Sequence, residues 1–158
     1  MKNISLIFTL FIFYYMLSQE SSNMDLVGQL DYPQGTNDVW GYSNGSLEYA
    51  LVGTRTGFSV VDISCPANPT EVFFISGSQS IWRDIKTWKN YAYVTTEAED
   101  GLLIVDLNDP TGQTYTYTEQ FFSTSHNIYI DENGYAYIFG ANTGEGGAII
   151  LDLNDDPM

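Results

Sequence analysis

Positive charge is what this sequence most lacks. Five of its 158 residues are lysine or arginine against 20 aspartates and glutamates, a formal net charge of −15. Beyond residue 18 only Arg55, Arg83, Lys86 and Lys89 remain as cations, so that part of the chain carries 4 − 20 = −16. A surface of that sign repels nucleic-acid phosphates and anionic lipid heads, which excludes both as partners. Cysteine is nearly absent too. Cys65 is alone, so no disulfide forms within the chain and no zinc or redox pattern exists. Lying between Ser64 and Pro66 with no obvious base nearby, it reads as an inert small hydrophobe. There is one histidine, His126, and the Ser125 beside it is not set in a Gly-x-Ser-x-Gly elbow. Aromatic residues are plentiful at 15%, and with the many Val, Ile and Tyr they argue for a packed β core rather than disorder.

No long apolar run is present either. The longest, Ile4 to Leu17, has 14 uncharged residues, short of the roughly 20 that a transmembrane helix needs. It follows Met1-Lys2-Asn3 and precedes Ser18-Gln19-Glu20. A basic start, an apolar stretch and a small residue at its exit predict a secretory signal peptide over residues 1–18. The alternative is an uncleaved membrane anchor. Export is the expectation, with no membrane insertion once the leader is removed.

What the sequence does have is a repeated unit. Gly57-Phe58-Ser59-Val60-Val61-Asp62-Ile63, Gly101-Leu102-Leu103-Ile104-Val105-Asp106-Leu107 and Gly147-Ala148-Ile149-Ile150-Leu151-Asp152-Leu153 follow one another at steps of 44 and 46 residues. Short strands recurring every 40 to 50 residues mark propeller blades. Ahead of each run stand two further elements. The first is Asn37-Asp38-Val39-Trp40-Gly41-Tyr42, Arg83-Asp84-Ile85-Lys86-Thr87-Trp88 and His126-Asn127-Ile128-Tyr129-Ile130-Asp131. Period-two alternation places Asp38, Trp40 and Tyr42 on one face and Val39 on the other, with the same split in the later copies. The second is Tyr49-Ala50-Leu51-Val52, Tyr91-Ala92-Tyr93-Val94 and Tyr135-Ala136-Tyr137-Ile138.

Asn44-Gly45 and Asn133-Gly134 separate these elements in the outer units, and Lys89-Asn90 does so in the middle one. Asn-Gly between apolar runs predicts a hairpin, because both residues tolerate positive φ. A proline turn follows each Gly-to-Asp run and ends its ladder. Fourth elements are read at Glu71 to Ile75 and Tyr117 to Phe122, while the third unit reaches Met158 before one appears. The fold class is therefore all-β, a propeller-like array of about three four-stranded antiparallel blades in an incomplete ring. The repeats lie at about 37–76, 82–122 and 125–158 within a 24–158 domain. Leu26 to Asp31 is expected to be an outer strand donated to a closing blade. About three blades against the usual four to eight suggests part of a longer protein. A short protein that closes by self-association is the alternative.

Phe58 to Ser64, Leu103 to Leu107 and Ser125 to Tyr137 resemble the LVIVD-repeat proteins, in particular the choice-of-anchor B family, over about residues 26–157. The resemblance implies a bacterial secreted or cell-surface β-propeller, usually longer than this chain and often followed by a sorting or anchoring region. Cys65 departs from the polar residue more often found in the proline turn. The resemblance implies no particular reaction.

If the first element of each unit is innermost, the groups converging on the channel mouth are Asp38, Trp40, Arg83, Asp84, Lys86, His126, Asn127 and Tyr129. Arg83, Lys86 and Lys89 fall within seven residues, and two readings are open. They relieve carboxylate repulsion, or they bind an anionic or sugar ligand with Trp40, Trp82, Trp88 and Tyr129 as stacking faces. The leading expectation is a binding scaffold for an extracellular protein or glycan, without catalysis. The alternatives are a polysaccharide-acting enzyme using Asp38, Asp84 and His126, and a purely structural surface component. No cofactor is expected. Calcium is the one ion the acidic turns at 106–109, 131–133 and 152–156 would suit, although none matches an EF-hand loop.

Overall fold

The computed structural model describes residues 23–145 and 147–155; the segment expected to be a signal peptide, residues 1–18, and Asp156 and Pro157 of the last proline turn lie outside them. Eleven strands follow one another: β1 (Thr36–Ser43), β2 (Glu48–Thr54), β3 (Gly57–Asp62), β4 (Thr70–Ser76), β5 (Arg83–Trp88), β6 (Tyr91–Thr96), β7 (Leu102–Asp106), β8 (Tyr115–Thr118), β9 (Asn127–Ile130), β10 (Tyr135–Phe139) and β11 (Ile149–Asp152). They form three antiparallel meanders, β1-β2-β3-β4, β5-β6-β7-β8 and β9-β10-β11, one per repeat. No helix occurs among the described residues.

Local chemistry explains the hairpins. Gly45 and Gly134 adopt φ of +86° and +81° in the Asn-Gly turns, and Lys89 takes φ +52° where the middle unit has no glycine. Each Gly-to-Asp run ends on an aspartate that folds back on its own turn. Asp62, Asp106 and Asp152 each accept the amide two residues on, from Ser64 (2.8 Å), Asn108 (2.8 Å) and Asn154 (3.0 Å). The repeated aspartate is thus a turn former.

The sheets pack face to face as successive blades, with β1 against β5 and β5 against β9, so the first strand of each unit is innermost. Alternation gives the middle sheet two buried faces. Ile85, Ala92, Val94, Leu103 and Val105 pack on Leu51, Phe58, Val60 and Ile75 of the first sheet. Tyr93, Leu102 and Ile104 pack on Ile128, Ala136 and Ile138 of the third. Full burial of each large side chain stabilises by about 1.5–3 kcal/mol, so these two seams hold the array together. Among the described residues the three sheets do not close a ring.

One expectation needs correction. The fourth strand of the second unit is β8, Tyr115–Thr118, rather than a run reaching Phe122. Thr118 pairs with Leu102 at the start of β7, so no ladder partner remains beyond it. Phe122 instead turns into the seam between the second and third sheets. The third sheet has three strands among the described residues, as expected of a unit in which no fourth element is read. Residues 26–31 pair with no strand among the described residues; they run past the proline turn of the first sheet, where a side chain at Gly28 would collide with the Pro66 carbonyl.

Candidate functional site

The inner strands are linked by side chains that each reach one blade forward. Asp38 on β1 accepts the Ile85 amide of β5 at 2.9 Å, and Asp84 on β5 accepts the Ile128 amide of β9 at 2.9 Å. Asn127 adds its side-chain amide to Asp84 at 3.2 Å. From the same face of β1, Trp40 Nε1 donates to Thr87 Oγ1 at 3.1 Å and the Tyr42 hydroxyl to Asn90 Oδ1 at 3.3 Å. The period-two face read from the sequence is therefore the face that meets the next blade.

Lys86 sits across this junction. Its Nζ lies 2.6 Å from Asp84 Oδ1, 2.9 Å from the Ile85 carbonyl and 4.5 Å from the centre of the Trp40 ring. Asp38, Trp40, Asp84, Lys86 and Asn127 thus form one continuous cluster on the inner strands. Trp40 is part-exposed within it, and the Lys86 ammonium lies over its ring in a cation–π contact.

The other three expected residues lie elsewhere. Arg83 is 4% exposed; Nη1 donates to the Thr54 carbonyl at 2.6 Å, Nη2 to the Ser78 carbonyl at 2.5 Å, and Asp100 Oδ2 lies 3.8 Å away. It joins the first two sheets instead of lining the mouth. Arg83 and Lys86 are three residues apart on a strand, hence on opposite faces, and Lys89 lies at the far turn, bonded to the Asn154 carbonyl. Closeness in sequence is not convergence here. His126 pairs with Glu97 Oε1 at 2.6 Å rather than with Asp38 or Asp84, and stacks on Trp82 at 4.5 Å and 12°. Trp82 Nε1 also donates to the His126 carbonyl. Tyr129 is on the uncovered face of the third sheet, its ring 6.0 Å from that of Tyr137.

Glu97 and Asp100 were missed by sequence reasoning. Asp100 holds the Ser78 amide at 2.7 Å beside Arg83, yet the positions before the repeat glycines are Thr56, Asp100 and Gly146, so no recurrence marks it. The acidic turns read for calcium are occupied by their own backbone. Asp109 binds Thr111, Gln113 and Thr114, and Asp131 binds Asn133, Tyr135 and Tyr137. Among the described residues no group of three His, Cys, Asp or Glu could hold a metal ion.

The two latch carboxylates titrate in opposite senses. Burial raises Asp38, and the amides of Ile85 and Val39 only partly offset it. Burial also works to raise Asp84, but bonds from Lys86, the Ile128 amide and Asn127 outweigh it and hold Asp84 below the usual carboxylate range. A depressed folded-state pKa contributes stability above the unfolded value of about 3.9, and that contribution is lost as pH falls through the lower folded value. Asp38 contributes in the reverse direction, below about 3.9 and up to its raised value. Asp84→Asn is therefore expected to cost about 1–3 kcal/mol at pH 7 and progressively less toward pH 2–3. Urea unfolding of both proteins across that range checks this. A cost unchanged between pH 7 and pH 3 would show that the charge of Asp84 is irrelevant to the seam.

The profile of the LVIVD repeat matches residues 37–76 and 82–115, which are the first sheet and the second as far as the start of β8. No curated protein and no solved structure matches the chain.

Proposed function

We propose that this chain of LVIVD repeats is a β-propeller scaffold, secreted or at a bacterial cell surface, that binds an extracellular protein or glycan at its channel mouth without catalysing a reaction on it. The observation that carries the reading is the fate of the carboxylates. Asp38 and Asp84 are engaged by the amides of Ile85 and Ile128 and by Lys86, while the exposed part of Trp40 and the adjoining Lys86 have the character of contact groups. The Met1 to Leu17 pattern supports export, and the similarity of the Ser125 to Tyr137 segment to the other units supports the finer resemblance to choice-of-anchor B proteins. A polysaccharide-acting enzyme needs one carboxyl free to protonate a leaving group and a second free to attack or activate water. Carboxylates committed to backbone amides at a blade seam serve that chemistry poorly.

The test is retention of the protein on a panel of immobilised polysaccharides and on whole bacterial cell-wall material, for the native chain and Trp40→Ala. Loss of the ring is expected to weaken binding about two- to tenfold, since an aromatic contact is worth about 0.5–1.5 kcal/mol. Unchanged retention with folding intact would remove the channel mouth as the binding surface. Release of reducing sugar from any member of the panel would favour the enzyme.

A further inference from the structure

Two Asn-Gly pairs occur in the chain, Asn44-Gly45 and Asn133-Gly134, each at the hairpin between the first and second strands of its unit, and the fold treats them differently. Around Gly45 there is space: residues 43–47 are exposed, and a methyl group added at Gly45 would meet no heavy atom within 4 Å. The Gly45 amide donates to the exposed Ser43 hydroxyl at 3.1 Å. Asn44 Oδ1 accepts the amides of Ser46 and Leu47 at 3.1 and 2.9 Å. The ring that the Ser46 bond closes includes the Gly45 nitrogen, and the two amides polarise the Asn44 side-chain carbonyl. At the second pair the same peptide is tied down. The Gly134 amide donates to the Asp131 carbonyl at 3.1 Å, and the Asn133 carbonyl accepts Asn154 Nδ2 at 2.8 Å, so both sides of the linkage are held. Gly134 is buried, and a side chain there would run into the Trp88 ring.

We infer that Asn44 is a self-modification site, where the chain converts its own side-chain amide to a carboxylate, and that Asn133 is protected from the same reaction. The Gly45 nitrogen gives its proton to solvent base and attacks Asn44 Cγ. A bond forms between them, the carbonyl electrons move onto Oδ1, and their return breaks the Cγ–Nδ2 bond. Nδ2 takes a proton from water and leaves as ammonia. A water molecule then opens the cyclic imide at either carbonyl, leaving aspartate or isoaspartate. Water is the one co-reactant, and nothing is oxidised or reduced. Charge developing on Oδ1 meets the Ser46 and Leu47 amides, the arrangement that stabilises the tetrahedral intermediates of acyl transfer. Glycine puts no side chain in the way of the attacking nitrogen. At Asn133 that nitrogen must first leave the Asp131 carbonyl and rise against Trp88. The product matters for β1: isoaspartate carries the backbone through the side chain and lengthens the turn that sets Tyr42 opposite Tyr49.

Peptide mapping of the full chain by mass spectrometry, over storage at mildly alkaline pH with and without urea, tests this. In the native protein Asn44 is expected to lose ammonia roughly tenfold faster than Asn133, a barrier difference of about 1.4 kcal/mol. In urea the two are expected to converge, because both are then unfolded Asn-Gly pairs. Isoelectric focusing should show a more acidic species accumulating in the native chain but not in Asn44→Gln, whose longer side chain would have to close a larger ring. The inference is overturned by an Asn133 that reacts as fast as Asn44 in the native protein, by an Asn44 that stays intact there while reacting in urea, or by a lead that persists unchanged in urea. Acidification of Asn44→Gln at the native rate would overturn it as well, since the charge would then arise elsewhere.

Discussion

Replacing Arg83 with alanine is expected to lower the stability of the chain by about 3–5 kcal/mol, the range for removing one member of a buried charged network, while leaving ligand contacts in place. The two guanidinium nitrogens are bonded to the carbonyls of Thr54 in the first sheet and of Ser78 in the connection from β4 to β5, and Thr54 is fully buried. Without the side chain the Thr54 carbonyl keeps only a long 3.5 Å contact with the Asn37 side-chain amide, and a buried group left unsatisfied costs about 1–3 kcal/mol. Asp100 loses its neighbouring cation as well. Burial pulls the Arg83 pKa down and Asp100 opposes it, but a guanidinium stays charged throughout the working pH range. Nearby, burial first and then the Asp100 charge push the Tyr117 hydroxyl up to about 12, so that group donates to the Ser76 carbonyl at 2.9 Å as a neutral phenol. Arg83→Met keeps much of the volume and none of the donors, and should behave like alanine. Arg83→Lys offers one ammonium in place of a planar fork and should recover part of the loss. Urea unfolding of the three variants orders them. An alanine variant with the native midpoint and impaired binding would return Arg83 to the channel mouth.

The contrast between Arg83 and its neighbours shows where the sequence was legible. Strand order, the antiparallel hairpins and the face shared by Asp38, Trp40 and Tyr42 all follow from interactions between residues a few positions apart, or from a pattern repeated three times. Asn-Gly turns and period-two alternation act locally, so they can be read locally. Arg83, Lys86 and Lys89 looked like a cluster because they are close along the chain. A strand sends Arg83 and Lys86 to opposite faces, and the hairpin carries Lys89 to the far end. Lys86 pairs with Asp84 two residues back on its own strand, whereas Arg83 and Lys89 find partners on neighbouring blades, Thr54 and Asn154, which depend on how one blade is set against the next. His126 and Glu97 meet across the second seam for the same reason, 29 residues apart. Phe122 lies beyond the end of β8, and only the hydrophobic gap between two sheets accounts for its burial.

Gly101→Ala and Gly147→Ala are expected to separate sharply, although the two glycines are the same repeat position. Gly101 has φ +67°, and a side chain there would run into the Thr118 carbonyl of β8. Gly57 meets the Ile75 carbonyl of β4 in the same way. The reason for glycine is therefore close approach of the fourth strand at the start of the third, with a left-handed backbone added at Gly101. Left-handed geometry costs alanine about 1–2 kcal/mol, and the collision is relieved only by moving β8 from β7, a further cost of about 1–3 kcal/mol. A methyl group added at Gly147 would meet no heavy atom within 4 Å, and no fourth strand lies beside β11 among the described residues. Alanine there should change stability by no more than about 0.5 kcal/mol. Urea unfolding of the two variants decides between a steric demand of the fourth strand and a demand intrinsic to the repeat. Equal losses at both positions would place the cause in the Gly-to-Asp run itself. A silent Gly147→Ala beside a damaging Gly101→Ala would mean that the third repeat keeps a glycine whose steric reason is a strand it does not have among its described residues.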